Sequence, residues 1–153
     1  MIVNTQSFGE LDIDPKDVYE FTSGIPGFED NQRYIIVQPD PEMQFCYIQS
    51  IEVSSLAFLV CNPFLFYADY DFQLSDACQQ ELNIENEADV AVWTVVTIDR
   101  QNNEVTLNLL APIVVNVRDK RGKQIILHDS DYETKHKLSL PNSEQAAATE
   151  EGL

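Results

Sequence analysis

Basic residues are scarce in this sequence: nine Lys and Arg face twenty-six Asp and Glu, for a net charge of −17. The scarcity is uneven, since only Lys16 and Arg33 stand against eighteen acids in residues 1–99, while residues 100–153 hold seven bases and eight acids. A chain this negative argues against direct contact with nucleic acid or an anionic membrane, and it suits a basic protein partner. Solubility alone is the plainer account of the same charge. Histidine is nearly missing as well. His128 and His136 lie eight positions apart, there is no GxSxG, and no spacing ties either ring to Ser23, Ser75 or a cysteine. That leaves no motif for an activated nucleophile and none for zinc. Cys46, Cys61 and Cys78 are odd in number and form no CxxC, so they read as reduced thiols rather than a disulfide frame. A basic, apolar leader and an 18-residue apolar run are both missing, and the expected address is the cytoplasm.

What the sequence has is strand signal. Leu56 to Cys61 is a continuous apolar run, and Asn62-Pro63 interrupts it. After it, Phe64, Phe66, Ala68, Tyr70, Phe72 and Leu74 alternate with Leu65, Tyr67, Asp69, Asp71 and Gln73. Period two predicts a second strand with the first set facing the core. Upstream, Ile2-Val3 and Phe8 to Ile13 predict a hairpin with Gly9 near its start, and Val18 to Phe21 a short strand. Gly24-Ile25-Pro26-Gly27-Phe28 predicts a loop with positive φ at a glycine and Ile25 or Phe28 packed down. Strands are expected at Arg33–Gln38, Gln44–Ile51, Val90–Ile98, Val105–Leu110, Ile113–Val117 and Gln124–Leu127, the last after a tight Arg121-Gly122 turn. A short helix, about Asp76 to Leu82, would be capped by Ser75 or Asp76, with Asp76 and Gln79 at capping-box spacing. The fold class is therefore all-β: one barrel-like or sandwich domain of about ten short strands and one helix over residues 1–138. Residues 139–153 form a polar acidic tail with the composition of a disordered segment.

Two features invite chemical readings. On a period-two strand, Asp69 and Asp71 would share a face within about 7 Å and could hold a divalent cation in a metal-dependent enzyme. A solvated acidic strand face is the preferred reading, because no third ligand or general base flanks them. Arg118 to Lys123 is the one basic cluster, and it reads as a charged hairpin tip. The aromatic strand could instead line a small-molecule-binding β-barrel, although aromatics at strand period are more often core.

GIPGFED (24–30), Tyr47-Ile48-Gln49-Ser50, LAFLVCNPFLFYADYDFQLSD (56–76), LNLLAPIVVNV (107–117) and RGKQIILHDSDY (121–132), in this order, resemble the FliW family of flagellar assembly factors. The resemblance spans nearly all of residues 1–138. It implies a barrel-like all-β fold without catalytic activity, metal or cofactor. It also implies two partners, flagellin and the basic RNA-binding translational repressor CsrA. Free FliW would titrate CsrA from flagellin mRNA, and cytoplasmic flagellin would occupy FliW until it is secreted.

The acidic surface expected to face CsrA combines Asp69 and Asp71, on the outer face of the second strand, with Glu81 and Glu85 around the helix that follows. Trp93, Phe58, Phe64, Phe66 and Phe72 are expected in the core. On that placement, replacing Phe66 by Ala should cost about 3–5 kcal/mol of stability, read from the denaturation midpoint.

Overall fold

The computed structural model describes residues 1–138 apart from Pro41 and Met43, so the tail beyond lies outside the described residues. The strands are β1 (Ile2–Thr5), β2 (Gly9–Asp12), β3 (Tyr19–Glu20), β4 (Arg33–Val37), β5 (Phe45–Ser50), β6 (Ala57–Cys61), β7 (Val90–Asp99), β8 (Glu104–Leu107), β9 (Ile113–Asn116), β10 (Arg121–Gln124) and β11 (His136–Lys137). One helix, α1 (Asp76–Glu81), lies between β6 and β7. β1 and β2 make a separate hairpin. The other nine strands form one sheet in the order β11-β8-β7-β6-β5-β4-β3-β10-β9, and β9 also pairs with β7. That extra pairing closes the sheet into a ring.

The ten residues VAVWTVVTID of β7 make this closure possible. They are rich in β-branched side chains, which suit a long pleated strand. Val90 to Trp93 pair with Asn116 to Ile113 of β9, while Thr94 and Val95 pair with Cys61 and Val60 of β6. Val96 to Asp99 then pair with Leu107 to Glu104 of β8. Inside the ring Phe21, Tyr34, Cys46, Ile48, Val60, Ile113 and Val115 pack together, none more than 2% exposed. Burial pushes the Cys46 thiol up to about 12 and the Cys61 thiol to about 11, so both are packed as neutral thiols.

The stretch 64–74 is not the strand that its alternation predicts. Asn62 Oδ1 accepts from the Phe64 N–H at 2.9 Å and caps a single 3₁₀ turn, Pro63–Leu65. The chain then bonds to itself, with Tyr67 N–H donating to Pro63 O and Tyr70 N–H to Tyr67 O. Tyr70 is the anchor, 4% exposed, with its hydroxyl donating to Leu109 O at 2.7 Å. Its ring meets Phe64, Phe72 and Tyr132 at 5.7, 5.5 and 4.7 Å. The segment is an aromatic cover laid on the sheet, so the alternation reports burial without a ladder. Phe64, expected in the core, is 41% exposed. Trp93, Phe58, Phe66 and Phe72 are half-buried.

Three smaller expectations meet the structure differently. Ser75 caps α1, its Oγ accepting from Cys78 N–H at 3.1 Å, but Gln79 donates to Leu74 O and completes no box with Asp76. Both Gly24 and Gly27 have positive φ, 69° and 89°. A Cβ at Gly24 would also sit 2.6 Å from the Glu29 Cα, so space and backbone both demand glycine there. Ile25 is buried and Phe28 lies edge-on to Phe58 at 5.3 Å, so the loop does pack down. The final hairpin, however, turns at 118–120 with Lys120 at φ 59°, and its strand begins at Arg121 rather than Gln124.

Gly122 sits on β10 directly under Phe21. A Cβ there would lie 2.5 to 2.8 Å from three atoms of that ring, which is itself 1% exposed and edge-on to Tyr34 at 5.2 Å. Gly122→Ala is therefore expected to lower the unfolding free energy by about 1–3 kcal/mol in urea titration. An unchanged midpoint would show that the Phe21 ring slides aside freely. Phe66 is only half-buried, stacked on Phe45 at 6.2 Å. The same titration should give about 1–2 kcal/mol for Phe66→Ala, below the range for a fully buried ring.

Candidate functional site

The four acids expected to face a basic partner differ in what surrounds them. Glu81, at the end of α1, is engaged from both sides. Its Oε1 accepts from Lys123 Nζ at 2.7 Å, and its Oε2 from Ser23 Oγ at 2.7 Å. These bonds hold its carboxyl below the ordinary glutamate pKa, the Lys123 bond having the largest effect. Glu85 meets Arg118 Nη1 at 3.3 Å, although its side chain is 64% exposed. Arg118 also reaches Asp89 at 3.2 Å and Asp119 at 3.3 Å. The basic hairpin tip is thus tied down on its own chain's acids, and Lys120 Nζ stands 5.2 Å over the Tyr19 ring.

Asp69 and Asp71 are both exposed, on a segment that is not a strand. The shared face that motivated a divalent cation between them is therefore absent. Asp69 lines a shallow depression with Phe66, Tyr67 and Tyr132. Asp71 lines a different cleft, of about 640 Å³, between the aromatic cover, α1 and the start of β7. Among the described residues no cluster of three or more His, Cys, Asp and Glu could hold a metal ion.

The cleft joins two expected residues to several that the sequence reading missed. Phe64, Phe72, Leu74, Ile84 and Val92 supply its apolar surface. Asp71, Asp76, Glu85 and Glu87 supply four carboxylates, and among the described residues no Lys, Arg or His lines it. Ile84 carried a legible signal, one of two large apolar side chains, with Leu82, in the acidic run Glu81 to Asp89. Phe64 did not, because the apparent strand placed it inward. The cleft wall is held by Asn116, 0% exposed, whose Nδ2 donates to Leu82 O at 2.8 Å and Asn83 O at 3.0 Å. Its Oδ1 accepts from the Arg118 and Asp119 N–H groups at 2.9 and 3.1 Å. One fully bonded amide thus pins the end of α1 to the β9–β10 turn.

A second groove, of about 600 Å³, is lined by Asp12, Asp14 and Asp17 with Ile36, Trp93 and Lys120. Asp12 there is paired to the N-terminal amine at 3.2 Å.

The Glu81 contacts yield a pH test. A glutamate whose folded pKa is depressed adds stability above its unfolded value, about 4.3, and that stability is lost as pH falls through the folded value. Glu81→Gln is expected to cost about 1 kcal/mol or less at pH 7, given its partial exposure. The difference from wild type should shrink steadily in denaturation as pH falls below about 4. A penalty that persists undiminished there would assign the loss to packing instead.

The sequence model of the FliW protein family matches residues 2–138. The flagellar assembly factor FliW of Alkaliphilus metalliredigens (strain QYMF) is 43% identical over 137 residues, 89% of this chain and 85% of that protein. The one of Bacillus subtilis (strain 168) is 38% identical over 138 residues, covering 90% and 96%. A crystal structure of the flagellar assembly factor FliW superposes with a TM-score of 0.85 at 35% identity, over 92% of this chain and 98% of that one. Sequence and fold agree over the same span, and the chain belongs to the FliW family.

Proposed function

We propose that this chain is a non-catalytic flagellar assembly factor that binds flagellin and CsrA and relieves CsrA repression of flagellin mRNA. Membership of the FliW family is the observation that carries the reading. The charge is consistent with it. CsrA must present basic groups to RNA phosphate, so an acidic surface docked on or beside them either occupies those groups or repels the RNA through a field of several kT. Direct binding of nucleic acid by this chain has no place in the mechanism, and neither does a membrane. Among the described residues, no helix is long and apolar enough to cross one. The proposed address is the cytoplasm, where both partners are met. The ring's interior is filled by side chains such as Phe21, Tyr34 and Ile48, which gives the small-molecule reading no support there.

The proposed contact set is Asp69, Asp71, Glu81 and Glu85, replaced together by Asn or Gln. The expected result is weaker CsrA binding in calorimetry, a shallower salt dependence of that binding, and loss of RNA release, with the fold intact. Because Glu81 is bonded to Lys123 and Ser23, a triple variant that keeps it is measured alongside. The triple variant should retain most of the effect. A folded quadruple variant with unchanged affinity and salt slope would sink this contact set and turn attention to Glu10, Asp12, Asp14 and Asp17, while leaving the family function in place.

A further inference from the structure

The cleft beside α1 combines two properties that solubility alone does not call for. The first is exposed apolar surface: Phe64, one of its lining residues, is 41% exposed, and the neighbouring Leu65 is 52% exposed. Adjoining exposed apolar side chains beside a cleft mark a contact surface, where single scattered ones do not. The second is one-signed charge. Asp71, Asp76, Glu85 and Glu87 line the same cleft, and among the described residues only Glu85 of the four has a cation bonded to it. Elsewhere the acids near α1 are matched from within: Glu81 by Lys123, Asp89 and Asp119 by Arg118. Charge left unmatched around an apolar floor is complementary to a cationic, amphipathic surface.

We propose that this cleft is a docking groove for an amphipathic cationic segment of a protein partner, apolar side chains on Phe64, Phe72 and Ile84, and Lys or Arg on Asp71, Asp76 and Glu87. The inference rests on the reading that the chain works by binding proteins, and adds where and what kind of segment it takes. A second copy of this chain is a poor occupant, because it would bring the same unmatched carboxylates to the contact. Asp76 opens α1 with Ser75 as cap, so its carboxylate is held at the helix start. Glu87 lies in the one-turn helix Glu87–Asp89 just before β7. The two therefore line the groove from different elements, with Ile84 in the connection between them.

The probe is a fluorescein-labelled peptide of Leu and Lys at helical period, about four turns long, followed by anisotropy against the full chain. Two companions replace every Leu by Ser, or every Lys by Glu. The Leu–Lys peptide should bind, and each companion should bind at least about tenfold more weakly. Asp71→Lys with Glu87→Lys, and separately Phe64→Ser, should each weaken the Leu–Lys peptide about tenfold. Asp30→Lys with Asp129→Lys, two exposed acids away from either groove, makes the same change in net charge elsewhere and should leave affinity within about twofold. If Phe64→Ser unfolds the chain in circular dichroism, the double reversal decides alone. Equal losses in the two reversal variants, or equal binding of the Ser–Lys peptide, would reduce the effect to net charge and overturn the groove. A dimer of the chain that Phe64→Ser dissociates would also overturn it, assigning the cleft to a second copy. Failure of whole CsrA and flagellin to bind wild type, with the peptide results as expected, would sink the partner assignment and keep the groove.

Discussion

The structure depends on a single strand serving three neighbours. β7 carries β9 on its first half, β6 at its middle and β8 on its second half. Ring closure needs the β9 pairing, and the sheet extension that bears β11 needs the β8 pairing. Closing a sheet on itself removes exposed edges, which protects an all-β chain from edge-to-edge association. The same strand passes the candidate groove at Val90 and Val92, so its position also sets the groove's floor.

Charge is organised in two tiers. Late-chain bases neutralise specific early-chain acids at the turn between β9 and β10, through Arg118 and Lys123. These exposed or half-exposed pairs each contribute little stability. Their larger effect is positional, together with Asn116, whose four bonds tie the end of α1 to that turn. The acids left without such partners then define the surface open to a basic protein. Asp71, Asp76 and Glu87 of the cleft are exposed acids of this second kind.

Much was legible in residue order alone. The apolar β-branched runs of β7 and β9, the glycines of the 24–28 loop and the Ser75 cap follow from local rules, because each depends on neighbours a few positions away. Burial of Cys46 and Cys61 followed in the same way from the apolar runs that hold them. The all-β class came from many such local signals agreeing.

Tertiary structure decided the rest. Alternation from Phe64 to Leu74 records which side chains face apolar neighbours, but a strand also needs a partner edge. Here β6 already pairs with β5 and β7, so the segment folds over the sheet as an aromatic cover. That one outcome exposed Phe64, set Asp69 and Asp71 on different depressions and built one wall of the cleft. Pairing of Glu81 with Lys123, 42 positions later, was equally out of reach, because sequence spacing does not tell which hairpin tip lies beside which helix. The sequence by itself determined an acidic all-β chain of the FliW family. Only the folded sheet, by bringing distant residues side by side, decided which of its acids pair within the fold, as Glu81 does with Lys123, and which stay exposed without such a partner.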